Sequence, residues 1–269
     1  MIVLDNEKLR KLQMTELELL VEVDRICKKN DIKYSLDGGT LLGAVRHAGF
    51  IPWDDDADVM MTREEYERFF EACKSDLNYE KYFLQEFRTD AEYRWGYAKL
   101  RKNGTTFLRE GQEHINCHVG VCIDIFIFDE VPDGYFERRL HWVQCFIIRK
   151  GLYSIVGQKN EKNRFIRVIY RILAKTSRAF WTQNLERLVR KESGKNRQLL
   201  SHLTYPNRKE IRYGLPSQYF DEYYDIEFEG VSLRAIASYD KYLRDLFGDY
   251  MVLPSKQNRK VHPVSKLEL

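Results

Sequence analysis

Residues 36–60 read LDGGTLLGAVRHAGFIPWDDDADVM, and four aspartates, Asp54, Asp55, Asp56 and Asp58, fall within five residues of one another. Packing carboxylates this densely costs energy: two of them ~6 Å apart at an effective dielectric of ~20 repel by roughly 3 kcal/mol. A fold keeps such a cluster when a cation neutralises it. Hard divalent cations take oxygen ligands and leave room for substrate phosphates, so Mg²⁺ or Mn²⁺ is the expected cofactor and phosphate chemistry the expected reaction class. A strand over 56–61 would place Asp56 and Asp58 on one face, about 6.5–7 Å apart. A third carboxylate, Asp124, stands inside the β-branched and aromatic run VGVCIDIFIF at 119–128. An ionisable group in such a strand needs a partner or a metal. Asp56, Asp58 and Asp124 are thus the candidate catalytic and metal residues, and three such aspartates suit phosphoryl chemistry on two ions about 3.5–4 Å apart.

The residues around the cluster fit the same chemistry. Gly38 and Gly39 let backbone N–H groups approach a phosphate, and a helix starting there would offer its positive end. Fixed cations would stabilise charge building on phosphate oxygens. Arg46, Lys99 and Arg101 are the candidates, the last two alternating on one face of a predicted strand. Plainer readings compete. Asp54, Asp56, Asp58 and Glu65 match positions 1, 3, 5 and 12 of a calcium loop, but Val59 occupies position 6, where such loops need glycine. The acidic run also reads as a solvated turn, Gly38-Gly39 as a plain turn, Asp124 as half of a buried ion pair, and Lys99 and Arg101 as surface charges.

The elements that must hold these residues can be read from pattern. Residues 5–30 form an amphipathic helix capped by Asp5. A short strand at 32–36 leads into the glycine turn and a helix at 40–47, which Ile51-Pro52-Trp53 ends. After the strand at 56–61, Thr62 opens a helix through Cys73, with Thr62 and Glu65 spaced as a capping box. Strands follow at 79–87, 93–100, 105–108 and 119–128. Helices cover 135–156, 159–181 and 181–191, and a last one spans 239–247, with Gly248 and Pro254 beyond it. The expected fold is α+β, a mixed sheet flanked by helices with a helical insertion and a C-terminal helical and loop segment. It divides into a catalytic core over 1–133, a helical segment over 134–200 facing membrane or acceptor, and a closing segment over 201–269.

With 269 residues, 43% hydrophobic and 32% charged, the chain has the composition of a globular protein with a substantial core. A net charge of +3 does not mark a nucleic-acid binder, and no aromatic stacking platform is evident. The start, MIVLDNEKLRK, turns charged too soon for a signal peptide, and no run of eighteen apolar residues crosses a membrane. Five cysteines, an odd number, point to a reduced, cytoplasmic setting.

LDGGTLLGAVRHAGFIPWDDDADV, the later GVCIDIFIFD and the near-terminal YLRDLFGDYMVLP together resemble the LicD family of phosphotransferases, whose core is shared with fukutin-related proteins. The resemblance runs from the first helix to about Pro254 and implies a nucleotidyltransferase-like fold. It also implies transfer of a phospho-alcohol, typically phosphocholine, from a CDP-linked donor such as CDP-choline to a sugar hydroxyl of a surface glycan, teichoic acid or lipopolysaccharide, or of a lipid-linked precursor. Carried onto this chain, Asp56, Asp58 and Asp124 become metal ligands, Asp54 assists them directly or through a neighbour, and Gly38, Gly39 and Thr40 hold donor phosphate. Two departures stand out. Ile127 replaces the proline of IDIFPLD, and His262-Pro263 replaces paired histidines near the end.

Two further features carry alternatives. His114, Cys117, His118 and Cys122 are zinc-ligand types without CxxC or HxxxH spacing. The basic stretch 159–181, interleaved with apolar residues, reads either as a helix lying on anionic membrane, which would place the protein at the inner membrane face, or as a solvated helix with a core side. Among functions, a nucleotidyltransferase acting on an NTP would share the same metal ligands. A non-catalytic nucleotide- or glycan-binding module would have no use for this density of carboxylates.

Overall fold

The computed structural model describes residues 4–204, 214–255, 257, 259 and 262–269. The first half runs α1 (Asn6–Lys29), β1 (Ser35–Leu36), α2 (Gly38–His47), β2 (Asp58–Thr62), α3 (Arg63–Asp76), β3 (Tyr82–Gln85), β4 (Ala98–Lys102), β5 (Thr106–Arg109) and β6 (Cys122–Val131). Three helices follow, α4 (Tyr135–Asn160), α5 (Arg164–Leu173) and α6 (Arg178–Glu192), then β7 (Leu199–His202), β8 (Leu215–Pro216), β9 (Tyr223–Phe228), β10 (Val231–Ile236), α7 (Tyr239–Phe247) and β11 (Val264–Glu268). The architecture is α+β, as expected.

The main sheet has the order β1-β2-β6-β4-β3, with β7 beside the far half of β6 and β8 beside β7. β2 and β6 are parallel, and every other pair is antiparallel. β6 is central because it can be buried on both faces: Ile123, Ile125 and Val131 are wholly enclosed. α1 packs on β4 and β6 through Leu12, Leu19, Leu20, Val23 and Ile26, and α3 packs beside it through Tyr66 and Phe69. A second cluster joins α4 and α6 through Cys145, Ile148, Leu152, Trp181, Leu185 and Leu188, with Val131 and Leu203 completing it.

Local chemistry explains most boundaries. Asp5 caps α1 by accepting from Lys8 N–H, and Thr62 caps α3 by accepting from Glu65 N–H. The box is not reciprocated, because Glu65 turns instead to Lys33 N–H and Arg68. The Gly38-Gly39 pair is not a turn ahead of the helix but its first two residues, capped by Asp37. The basic stretch 159–181 is not one helix. Asn163 caps α5 by accepting from Phe165 and Ile166 N–H, and Ser177 caps α6 by accepting from Phe180 N–H, so the chain breaks between 160 and 164 and again after 173.

Candidate functional site

The sheet aligns the acids. Asp58 at the start of β2 pairs in register with Asp124 on β6, and Asp124 pairs in register with Lys99 on β4. These three side chains form one row across three strands. Lys99 Nζ donates to Asp124 in a short contact, and both side chains are buried. Asp56 lies outside the strand, whose first residue is Asp58. The segment 54–57 is irregular, tied down by Gln13 Nε2 donating to Asp54 O (3.0 Å) and by Asp54 N–H donating to Ile51 O (2.9 Å).

The glycine pair sits against this row. Asp58 N–H donates to Thr40 Oγ1 (2.8 Å), and Asp37 N–H donates to Asp58 O (3.0 Å), pinning α2 to the head of β2. Asp37 accepts from Gly38 N–H and, in a short contact, from Tyr242 Oη. A Cβ at Gly39 would come within 2.9 Å of Asp54 Oδ2, and one at Gly38, whose φ is +46°, within 3.9 Å of Asp58 Oδ2. Two carboxylates therefore approach the positive end of α2 through space that side chains would fill.

Two partners arrive from afar. β11 pairs with β5, bringing Arg109 and His262 to the acidic segment. Arg109 Nη2 lies 3.3 Å from Asp56 Oδ2. His262 Nδ1 lies 3.0 Å from Asp55 Oδ1 and 3.4 Å from Asp56 Oδ2, and Asp55 also accepts from His262 N–H (3.0 Å). Ligand-capable atoms of Asp55, Asp56 and His262 lie within 4.8 Å of one another.

Electrostatics divide the carboxylates. Burial pushes Asp124 up, but Lys99 and Arg109 outweigh it and hold its carboxyl below the ordinary range. Burial, reinforced by Asp56, Asp124, Asp37 and Asp54, raises Asp58 well above that range. Burial, with Asp56 and Asp55, pushes Asp54 to about 7. Burial also raises Asp37, to about 6, against the hydrogen bonds from Tyr242 and Gly38. For Asp56, burial outweighs the opposing pull of Arg109 and His262, and the carboxyl is raised.

Sequence reasoning missed Glu16, one of two glutamates in the run ELELL. It lies on the buried side of α1, 1% exposed, and both carboxylate oxygens lack a hydrogen-bond partner among the described residues. Burial raises it well above the usual range, and the nearby carboxylates of Asp56, Asp55 and Asp54 add to this. The set thus holds more carboxylate than its cations match, and apart from the His262 imidazole its donors are carboxylate oxygens, the type a hard divalent cation takes.

The other predicted cations are placed differently. Arg46 Nη1 donates to Tyr250 O (2.7 Å). Arg101 donates to Gln85 and to Gly120 O. The zinc-type residues do not form a ligand group among the described residues. His114 Nε2 lies 3.1 Å from Ile155 O, and His118 Nε2 lies 2.9 Å from Asn103 Oδ1 while its Nδ1 accepts from Gly120 N–H. Beside Arg109 opens a cavity of about 260 Å³ lined by Arg94, Tyr97, Arg149, Lys150 and Tyr153 among others. Arg94 Nη1 is buried and has no hydrogen-bond partner among the described residues.

Comparison with known proteins places the chain beside one family. Residues 31–150 match the family model described as LicD/FKTN/FKRP, nucleotidyltransferase domain. Over 272 residues, 96% of this chain and 97% of the other, the sequence is 29% identical to lipopolysaccharide cholinephosphotransferase LicD of Haemophilus influenzae. It is also 30% identical over 118 residues, 44% of this chain and 30% of the other, to an uncharacterised protein of Rickettsia typhi.

Proposed function

Because the chain belongs to the LicD family, we propose that it is a transferase moving phosphocholine, or a similar phospho-alcohol, from a CDP-linked donor to a sugar hydroxyl of a cell-surface glycan. The relative from Haemophilus influenzae, matched along nearly its whole length, supports phosphocholine as the group and a lipopolysaccharide sugar as the acceptor. A teichoic acid or a lipid-linked glycan presents the same hydroxyl chemistry.

One observation carries the reading: Asp58 and Asp124 stand in register on adjacent strands, with the glycine-led end of α2 against Asp58 and Asp54. Asp54, Asp56, Asp58 and Asp124 are assigned to hold Mg²⁺ or Mn²⁺. When bound, that ion would neutralise charge on the donor phosphates. The chain's own contribution is positioning and fixed charge. Gly38 and Gly39, at the positive end of α2, would let donor phosphate approach the backbone there, although the Gly38 N–H already donates to Asp37, and Thr40 fixes their helix to β2. Lys99 and Arg109 stand among the carboxylates and would stabilise charge on the phosphate and leaving group. The cationic cavity beyond Arg109 suits an anionic part of a substrate.

The test is release of CMP from CDP-choline with Mg²⁺, with and without glycan acceptors. Acceptor-dependent CMP that disappears in folded Asp58→Asn and Asp124→Asn is the expected result. Pyrophosphate release from an NTP would instead mean nucleotidyl transfer. Full activity of either variant would refute the site.

A further inference from the structure

α5 takes no part in the site, and its construction is unusual for a surface helix. One seam anchors it. Tyr170 is buried against α4, so close to Gly157 that a Cβ there would come within 2.6 Å of the ring. The Tyr170 hydroxyl accepts from Lys150 Nζ (2.9 Å). Away from that seam, Phe165, Val168, Ile169 and Ile172 recur at spacings of three and four and face solvent, Phe165 being 85% and Ile172 61% exposed. An ordinary surface helix turns its apolar stripe inward; this one turns it outward. The preceding helix adds a second outward stripe, Phe136, Leu140, Val143 and Ile147.

The charge beside the stripe is of one sign. Lys159, Lys162, Arg164, Arg171 and Lys175 are exposed, and Glu161 is the only acid from residue 159 to 178. A second copy of the chain laid on this face would bring like charges together. An anionic lipid surface offers both an apolar layer for the stripe and phosphates for the basic residues. No helix among the described residues is long and apolar enough to cross a membrane, so contact would be at the surface.

We propose that α5 is an interfacial helix that seats the protein on an anionic lipid bilayer. Phe165, Val168, Ile169 and Ile172 enter the headgroup boundary, while Lys162, Arg164, Arg171 and Lys175 meet lipid phosphates. This stands independently of the reaction assigned to the aspartates. It is tested by co-sedimentation of the full chain with vesicles of phosphatidylcholine alone or mixed with phosphatidylglycerol, at low and high salt. Binding is expected to the mixed vesicles and to weaken with salt. The triple variant Phe165→Ser, Ile169→Ser, Ile172→Ser should lose affinity by about tenfold or more. Arg164→Ser and Arg171→Ser should each lose about fivefold. In case the triple variant unfolds, Phe165→Trp supplies a second readout, a blue shift of emission on mixed vesicles beyond that of wild type. Wild-type protein left in the supernatant, a triple variant that binds as well as wild type, or a Phe165→Trp variant whose added emission is indifferent to vesicles overturns the proposal. So does concentration-dependent dimerisation, abolished by the triple variant, in a protein that ignores vesicles; that result would assign the face to a second copy.

Discussion

Replacing Asp54 by Asn should stabilise the cation-free protein at alkaline pH and leave it nearly unchanged in acid. Burial and the neighbouring Asp56 and Asp55 raise the Asp54 carboxyl from 3.8 to about 7. A carboxyl whose folded pKa is raised destabilises the fold once it ionises. Below its unfolded value it is protonated in both states and contributes nothing. Between about 4 and 7 the unfolded chain releases the proton that the folded chain retains, and stability falls; above about 7 the whole penalty is present. The interval from 3.8 to about 7, at about 1.4 kcal/mol per pH unit, gives about 4 kcal/mol as an upper bound. At pH 4.5 the same reasoning leaves about 1 kcal/mol. Asn keeps the shape beside Gly39 and removes the charge. For a chain of this length, 4 kcal/mol corresponds to a melting shift of about 7 °C, and half of it to about 3–4 °C. The assay is thermal unfolding of wild type and Asp54→Asn in chelator, from acid to pH 8.5. The expected result is a gain of several degrees at the alkaline end that vanishes in acid. Equal melting at every pH, or a gain independent of pH, would refute the account of the cluster as uncompensated buried charge.

Other outcomes follow from single contacts. Lys99→Met leaves Asp124 buried without its cation and should cost about 3–5 kcal/mol in urea unfolding; a loss under about 1 kcal/mol would mean that Asp124 finds another partner. In Gly43→Ala the new Cβ would stand 2.4 Å from the backbone oxygen of Gly49, which cannot swing aside. Stability in denaturant should fall by about 2–3 kcal/mol, and a neutral result would show that the α2 connection yields. His262 has its pKa raised by its hydrogen bond to Asp55, against burial. Its contribution is therefore full below its unfolded value near 6.5 and lost as pH rises through the higher folded one. The imidazole is 43% exposed, so solvent screening limits the effect to roughly 1 kcal/mol or less. The melting difference between wild type and His262→Ala should appear near pH 6 and shrink by pH 9.

Where local chemistry decides, sequence and structure coincide. Asp5 opens α1, Thr62 opens α3, and α7 spans 239–247 as its pattern predicts. Asp58 could be singled out from the density of its acidic cluster and Asp124 because charge in a β-branched run is costly, and the strands meet with those two residues in register. What could not be read is what distance in sequence conceals. Arg109 lies 53 residues from Asp56, and His262 lies 207 from Asp55; only the pairing of β5 with β11 brings them in. Glu16 was hidden differently. In an amphipathic helix a glutamate beside leucines reads as solvated, and its burial follows from how α1 lies across the sheet. The single helix expected over 159–181 failed because Asn163 and Ser177 act as caps, a signal present in the sequence but outweighed by apolar periodicity.

The cation-free site keeps its charge by two means at once. Lys99, Arg109 and His262 neutralise Asp124, Asp56 and Asp55 directly. Asp54, Asp58 and Glu16 have no such ion pair among the described residues, and burial raises all three, which favours a proton where counter-charge is missing. On the proposed reading, Asp54, Asp56, Asp58 and Asp124 would hold a divalent cation only when ionised, so its binding would compete with the protons that burial favours on Asp54 and Asp58. Its affinity must then rise with pH across the range where Asp54 titrates. Lys99 and Arg109, anchored to β4 and β5, would stay paired with Asp124 and Asp56. With such an ion held, both would be fixed cations able to stabilise charge that builds on a phosphate during transfer.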